Sequence, residues 1–279
     1  MTFPKICRKI SNILAAPLYL SYFFEKDIGR DYDLTFLDKM KIVFRFQRNS
    51  KKIPAATNWR EHLRIAAEIL KVPPTVKGDV IECGCYKGGS STNLSLICGI
   101  VGRKLVVCDS FEGLPAPEEY DKVHYNIAKK RVKVYEKGDY AGTLEQVKLN
   151  ISRFGKIGIC EFVNGYYEMT LKQLDGPYVL AFVDVDLHKS LKECITSLWP
   201  RLVKGAHFFS HEAQDMAYTS LFFDKEWWKE NLDCSPPGLV GSGTGLPLGI
   251  AEGSGLGYAI KGDIHSISND WNVVSFGKE

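Results

Sequence analysis

The stretch GDVIECGCYKGGSS, residues 78–91, decides the fold. Residues 79–83 are a short apolar run of the kind that makes a buried parallel strand. The segment ECGCYKGGS at 82–90 is a glycine-rich turn, and Leu94, Ile97, Cys98 and Val101 then recur at helical spacing. Strand, turn and helix in that order make the first unit of an alternating chain. The texture repeats downstream, where apolar runs at 104–108, 157–163, 178–183 and 206–209 predict four further strands. Between them Leu144, Val147, Ile151 and Phe154 mark one helix, opened by a capping box of Thr143 and Gln146. Leu191, Ile195, Leu198 and Leu202 mark another, with Gly205 turning the chain back into the sheet. Two last runs, 258–261 and 272–276, predict an antiparallel hairpin at the sheet edge. The expected fold is α/β: a doubly wound, mostly parallel, seven-stranded Rossmann-like sheet with an antiparallel C-terminal hairpin and an N-terminal helical arm.

Outward from that unit, residues 1–75 predict the helical arm, with Leu63, Ala66, Ala67 and Leu70 on one stripe before Pro73 and Pro74 stop the helix, and residues 76–279 the main domain. Residues 10–24 are mostly apolar and follow Lys5, Arg8 and Lys9, but Ser11, Asn12 and Pro17 interrupt them and no small-residue cleavage site comes after. They are expected to pack as a helix on the domain or on a second copy, a membrane-surface contact being the alternative. Aromatic residues in the first 50 positions point to a homodimer. With 45% hydrophobic and 25% charged residues and a net charge of +3 spread along the chain, no nucleic-acid footprint is present. The eight cysteines lie mostly in apolar segments without zinc-ligand spacing, which fits reduced thiols in a cytoplasmic protein. The glycine-dense segment 238–257 is long enough for a functional loop and is expected to serve as a lid over a small-molecule acceptor.

The turn after the first strand is where a doubly wound sheet binds its ligand. Its spacing is G-x-x-x-G-G, which differs from the G-x-G-x-x-G of dinucleotide binders. Gly84, Gly88 and Gly89 are expected to let the backbone approach a ligand, with Tyr86 between them, and Ser90 opens a helix N-terminus that can hold an anion. In S-adenosylmethionine that anion is the amino-acid carboxylate, and Glu82 at the strand tip is placed to attract the ammonium group. Asp109, one βα unit later, stands where an acidic residue accepts ribose hydroxyls, with Ser110 beside it. Glycine turn and strand-tip acid together point to an adenosine cofactor.

Three segments resemble one family: GDVIECGCYKGGSS, then VVCDSFEGLPAP with the distinctive run from Asp109 to Pro115, then AFVDVDLHKSLKECITSLWPRLVKGAHFF. Over roughly residues 55–215 the chain is similar to the macrocin O-methyltransferases. That resemblance implies a class I, S-adenosylmethionine-dependent enzyme that methylates sugar hydroxyls of natural products, commonly with a bound magnesium ion, and places Asn164, Gly165 and Tyr166 near the adenine. Asp184 and Asp186, at the tip of the fourth strand, can reach a hard cation. In the resembled family adjacent aspartates on the fifth strand complete the metal site. Here the matching residues are Ser210 and His211, followed by Glu212, which argues against magnesium. His211 or His188 then becomes the expected general base, with Asp184 as a further catalytic residue. Two rival readings stay open at this stage: a nucleotide-sugar glycosyltransferase using Asp184 and Asp186 as a metal-binding pair, and an inactive methyltransferase fold that serves as a binding protein.

Overall fold

The computed structural model describes residues 16–121, 123–126, 131–213, 215–241 and 254–262. Three helices precede the sheet: α1 (Ala16–Phe23), α2 (Phe36–Ser50) and α3 (Trp59–Lys71). Reciprocal capping boxes open two of them, Thr35 with Asp38 and Asn58 with Glu61, each satisfying backbone N–H groups that a helix start leaves unpaired. Helix α3 stops at Lys71 because Pro73 forces the preceding Val72 out of helical geometry, and Val72 is extended. The predicted stripe of Leu63, Ala66, Ala67 and Leu70 is buried.

Strands β1 (Asp79–Cys83), β2 (Leu105–Asp109), β5 (Cys160–Asn164), β6 (Tyr178–Val183), β7 (Leu202–Ser210) and β8 (Gly257–Ile260) form a six-stranded sheet in the order β5-β2-β1-β6-β7-β8. All neighbours are parallel except β8, which runs antiparallel to β7. Helices α4 (Gly89–Val101), α5 (Leu144–Phe154) and α7 (His188–Leu198) make the crossovers, with a short α6 (Tyr167–Thr170) after β5. A separate antiparallel ribbon, β3 (Val123–Asn126) with β4 (Arg131–Val134), lies in a stretch the apolar pattern left without structure. Beyond β7 come α8 (Met216–Thr219) and α9 (Lys225–Leu232).

Strand alternation distributes the core to both faces of the sheet. Val80, Val107, Phe182 and Phe209 join one cluster with Phe46, Ile65, Ala66 and Leu94 from the helices on that side. Ile81, Cys83, Cys108 and Phe208 join the other with Leu191, Ile195, Phe222 and Trp228. The seven cysteines among the described residues are free thiols, and burial pushes those of Cys83, Cys85 and Cys98 far up. Phe222 and Trp228 are core, whereas Phe223 is exposed.

Several boundaries differ from the sequence expectation. The third predicted strand starts with a 3-10 turn, Ile157–Ile159, and pairs only from Cys160 onward, opposite Leu105. Gly205 lies inside β7, not before it; its φ of 83° makes a bulge where the β6–β7 register slips between the Tyr178–Leu202 and Leu180–His207 pairs. Residues 258–261 do supply an antiparallel strand, but it pairs with β7; the second hairpin strand, 272–276, lies outside the described residues, so six strands of the expected seven are seen in this sheet. Of the glycine-dense segment, residues 242–253 also lie outside them. The apolar N-terminal stretch ends in α1, whose Phe23 is buried in the core. Among the described residues no helix is long and apolar enough to cross a membrane.

Candidate active site

Between β1 and β6 the sheet changes winding direction, and strand tips there leave a crevice. Backbone bonds extend the ladder past the strand ends and align the tips: the Gly84 N–H donates to the Cys108 carbonyl, Asp184 to Cys83, His211 to Val183 and Gly165 to Asp109, all at 2.9–3.0 Å. The result is a solvent-connected cleft across the strand tips.

Gly84, Tyr86, Ser90, Asp109, Ser110, Asp184 and Asp186 of the sequence candidates line this cleft. Asn164 does not; it is exposed, and Tyr166 and Tyr167 face the cleft in its place and that of Gly165. Gly88 and Gly89 are buried behind it. Their role also differs from the expected one. A Cβ on Gly84 would stand 1.9 Å from the Asp184 carbonyl oxygen, one on Gly88 3.0 Å from Val147 and one on Gly89 2.7 Å from Ala55, so the missing side chains make room for protein and not for a ligand. Gly84 and Gly88 have φ of 86° and 76°, which glycine alone adopts without strain.

Asp109 acts as a splint. Its Oδ2 accepts from the Cys85 N–H and its Oδ1 from the Phe111 N–H, each at 2.8 Å, which ties the β1 turn to the loop after β2 and still leaves acceptor capacity toward the cleft. Ser110 serves the same loop: its hydroxyl donates to the Gly113 carbonyl and accepts from the Glu112 N–H. Glu82 is fully buried one layer behind the cleft. Neither carboxylate oxygen has a hydrogen-bond partner, and burial pushes its pKa up to about 7, although the Ser90 and Ser91 hydroxyls nearby restrain the rise.

At the other end of the cleft, Asp184 Oδ1 lies 3.2 Å from His211 Nδ1, and His211 Nε2 lies 3.6 Å from Glu61 Oε1. Burial alone would lower the His211 pKa, but the two carboxylates outweigh it and hold the ring well above the ordinary histidine range. Carboxylates against both ring nitrogens favour the protonated ring, which has no lone pair for an incoming proton. Glu61 was not found from sequence; its visible signal was only its place in a capping box. That same bond, from the Asn58 N–H to Oε2 at 2.8 Å, orients it, and the Ser254 hydroxyl donates to Oε1 at 2.5 Å. His188 is also displaced from its expected role: its N–H donates to Asp121 and its ring packs between Tyr120 and Tyr218, off the cleft.

The Asp184–Asp186 pair does not assemble a cation site. Asp186 takes the left-handed region at φ 59°, its Oδ1 accepts from the Tyr135 hydroxyl at 2.8 Å, and its N–H donates to Glu212 Oε1 at 3.0 Å. Burial and the neighbouring Asp186 and Asp184 push the Glu212 pKa up. Asp184 is engaged by His211, and among the described residues no group of three His, Cys, Asp or Glu side chains is arranged to hold a metal ion. The magnesium expectation does not fit these donors.

Comparison with known proteins places this geometry. Residues 59–218, more than half of the chain, match the macrocin-O-methyltransferase (TylF) family. A Streptomyces olivaceus protein named 8-demethyl-8-(2,3-dimethoxy-α-L-rhamnosyl)-tetracenomycin-C 4'-O-methyltransferase is 31% identical over 136 residues, 47% of this chain. The chain spans about half the length of that relative, 51%. Among solved structures, the O-methyltransferase NovP has a TM-score of 0.54 at 17% identity, covering 80% of this chain and 98% of NovP. The calicheamicin methyltransferase CalS11 has 0.55 at 17% identity, covering 84% and 96%. At such identities the likenesses show the fold alone. A crevice at the switch point, an acid at the β2 tip and a family match spanning both place this chain in the macrocin O-methyltransferase family.

Proposed function

We propose that the protein is an S-adenosylmethionine-dependent O-methyltransferase acting on a hydroxyl of a sugar or natural-product glycoside. The observation that carries this is the cleft itself, bounded at one end by Asp109 and Tyr166 and at the other by Asp184. Its residues fit the cofactor: Asp109 for the ribose, Tyr166 and Ser110 for the adenine side, and Gly84 with Ser90 at the start of α4 for the amino-acid carboxylate. The buried, unpartnered carboxylate of Glu82 lies behind them as a source of negative potential for the ammonium group. When bound, the cofactor supplies a methyl group on a sulfonium, a leaving group that needs no acid.

The chain's own task is alignment and proton removal, and alignment alone can be worth about 7–11 kcal/mol of barrier. Asp184 lines the cleft at its β6 end, and it replaces His211 as the group that accepts the hydrogen bond of the acceptor hydroxyl. A second cleft shares Pro115, Tyr166, Tyr167 and Ser190 with the first and mixes Asp121, Glu193 and Lys189 around the opening, a polar wall suited to a glycoside. The name of the Streptomyces relative supports a sugar acceptor.

The proposal extends to a cytoplasmic homodimer. The free thiols support a reducing compartment, and Phe36, Leu37 and Phe44, apolar yet exposed on and about α2, support a second copy as partner. Helices α1 to α3 act as a cap on the main domain, supported by Phe46 and Ile65 sharing a core cluster with Leu94. Calorimetric titration with S-adenosylhomocysteine tests the central claim: saturable binding is expected, and Asp109→Ala is expected to abolish it. No binding by the native protein would overturn the assignment.

A further inference from the structure

Four carboxylates converge at the tips of β6 and β7. Asp184 and Asp186 leave β6, Glu212 follows β7, and Glu61 reaches in from the first turn of α3. Buried carboxylates that stay ionised need a compensating cation. Glu212 is engaged by the Asp186 N–H, and Asp186 accepts the Tyr135 hydroxyl. That leaves Asp184 and Glu61, whose carboxylates approach opposite edges of one imidazole ring at 3.2 and 3.6 Å. Both ring nitrogens face an acceptor, so the arrangement is satisfied only when each carries a proton.

We propose that the His211 imidazolium, clamped between Glu61 and Asp184, is a built-in cation that occupies the place of a divalent metal at this site, so that the protein works without one. The ring and Glu61 are positioning residues: neither lines the cleft, and they act by fixing Asp184, which does. Glu61 is fixed in turn on both oxygens, Oε2 by the Asn58 N–H and Oε1 by the Ser254 hydroxyl. Ser254 also accepts from the Leu256 N–H, so the chain that enters β8 is tied to the same ion chain. A metal ion would have to compete with a covalently tethered cation already seated between the two anions. The inference deepens the methyltransferase assignment and rests on it for its catalytic meaning.

The test is a titration of the full-length protein with manganese chloride, followed by electron paramagnetic resonance, with and without saturating S-adenosylhomocysteine. The native protein is expected to show no saturable manganese site under either condition. His211→Asp removes the tethered cation and adds a carboxylate, so it is expected to acquire a saturable manganese site that the native protein lacks. A native manganese site that Asp184→Asn abolishes would overturn the proposal, as would a folded His211→Asp protein that takes up no manganese. Should His211→Asp fail to fold, the native titration with its Asp184→Asn control decides alone. Calorimetry with S-adenosylhomocysteine keeps the two claims apart: lost cofactor binding sinks the methyltransferase assignment, whereas the manganese result bears on the cation alone.

Discussion

Replacing Glu82 by glutamine is expected to make the protein more stable in mildly alkaline solution. The carboxylate is completely buried, has no hydrogen-bond partner, and is pushed by burial from 4.5 up to about 7. The folded protein therefore holds a proton that the unfolded chain releases between those values, and stability falls as pH rises through that window. Fully developed, the penalty is about 3 kcal/mol, since each tenfold change in proton affinity is worth about 1.4 kcal/mol. Glutamine keeps the shape, cannot ionise, and can donate to the Ser91 hydroxyl, which is itself buried without a partner. Urea unfolding of both proteins at about pH 4.5 and about pH 8.5 gives the double difference, which cancels the other titrating groups. The variant is expected to gain about 3 kcal/mol over the native protein at the higher pH and almost nothing at the lower. Equal stability of the two at the higher pH would show that Glu82 is solvated or paired and would refute the argument. The same variant is expected to bind S-adenosylhomocysteine more weakly, because the negative potential behind the ammonium group is gone.

Two further perturbations follow from packing and charge. Gly84→Ala places a methyl 1.9 Å from the Asp184 carbonyl in a left-handed turn, and is expected to cost about 3 kcal/mol or more and to abolish cofactor binding, read by thermal unfolding and calorimetry. Glu61 is held down to about 2, against its own burial, by the neighbouring His211 and its hydrogen bonds, so it contributes stability that is complete above about pH 4.5 and lost as pH falls toward 2; an acid-unfolding series of Glu61→Gln is expected to lack that limb, worth roughly 3 kcal/mol.

Much of the β1–β2 half of this cleft was legible in the sequence. Local chemistry determines it: β1, the glycine turn and α4 are contiguous, and a turn at φ 86° and 76° leaves a signature in residue type. The acid at the tip of β2 follows at a distance in sequence set by one βα unit, so the place of Asp109 at the cleft was legible as well. What the sequence did not contain is why those glycines are glycines, because the atoms they avoid, Asp184, Val147 and Ala55, come from other elements. The β3–β4 ribbon was also missed, since two four-residue strands carry too little apolar alternation to stand out.

The catalytic end divides differently. From the linear pattern alone His211 is a histidine after a strand, and its ordinary pKa makes it a base; the departure from adjacent aspartates was plain, but not its consequence. Only folding brings Glu61, 150 positions earlier, and Ser254, 43 positions later, to the same ring and its partner, and so turns a base into a cation. Charge state is a property of what surrounds a group within a few ångströms, and here nearly all of that surrounding is distant in sequence. The sequence by itself determined the sheet and the glycine turn at its switch point, because contiguous residues encode them. The tertiary structure alone decided which carboxylates meet the His211 ring, because those contacts join elements distant in sequence in a low-dielectric place.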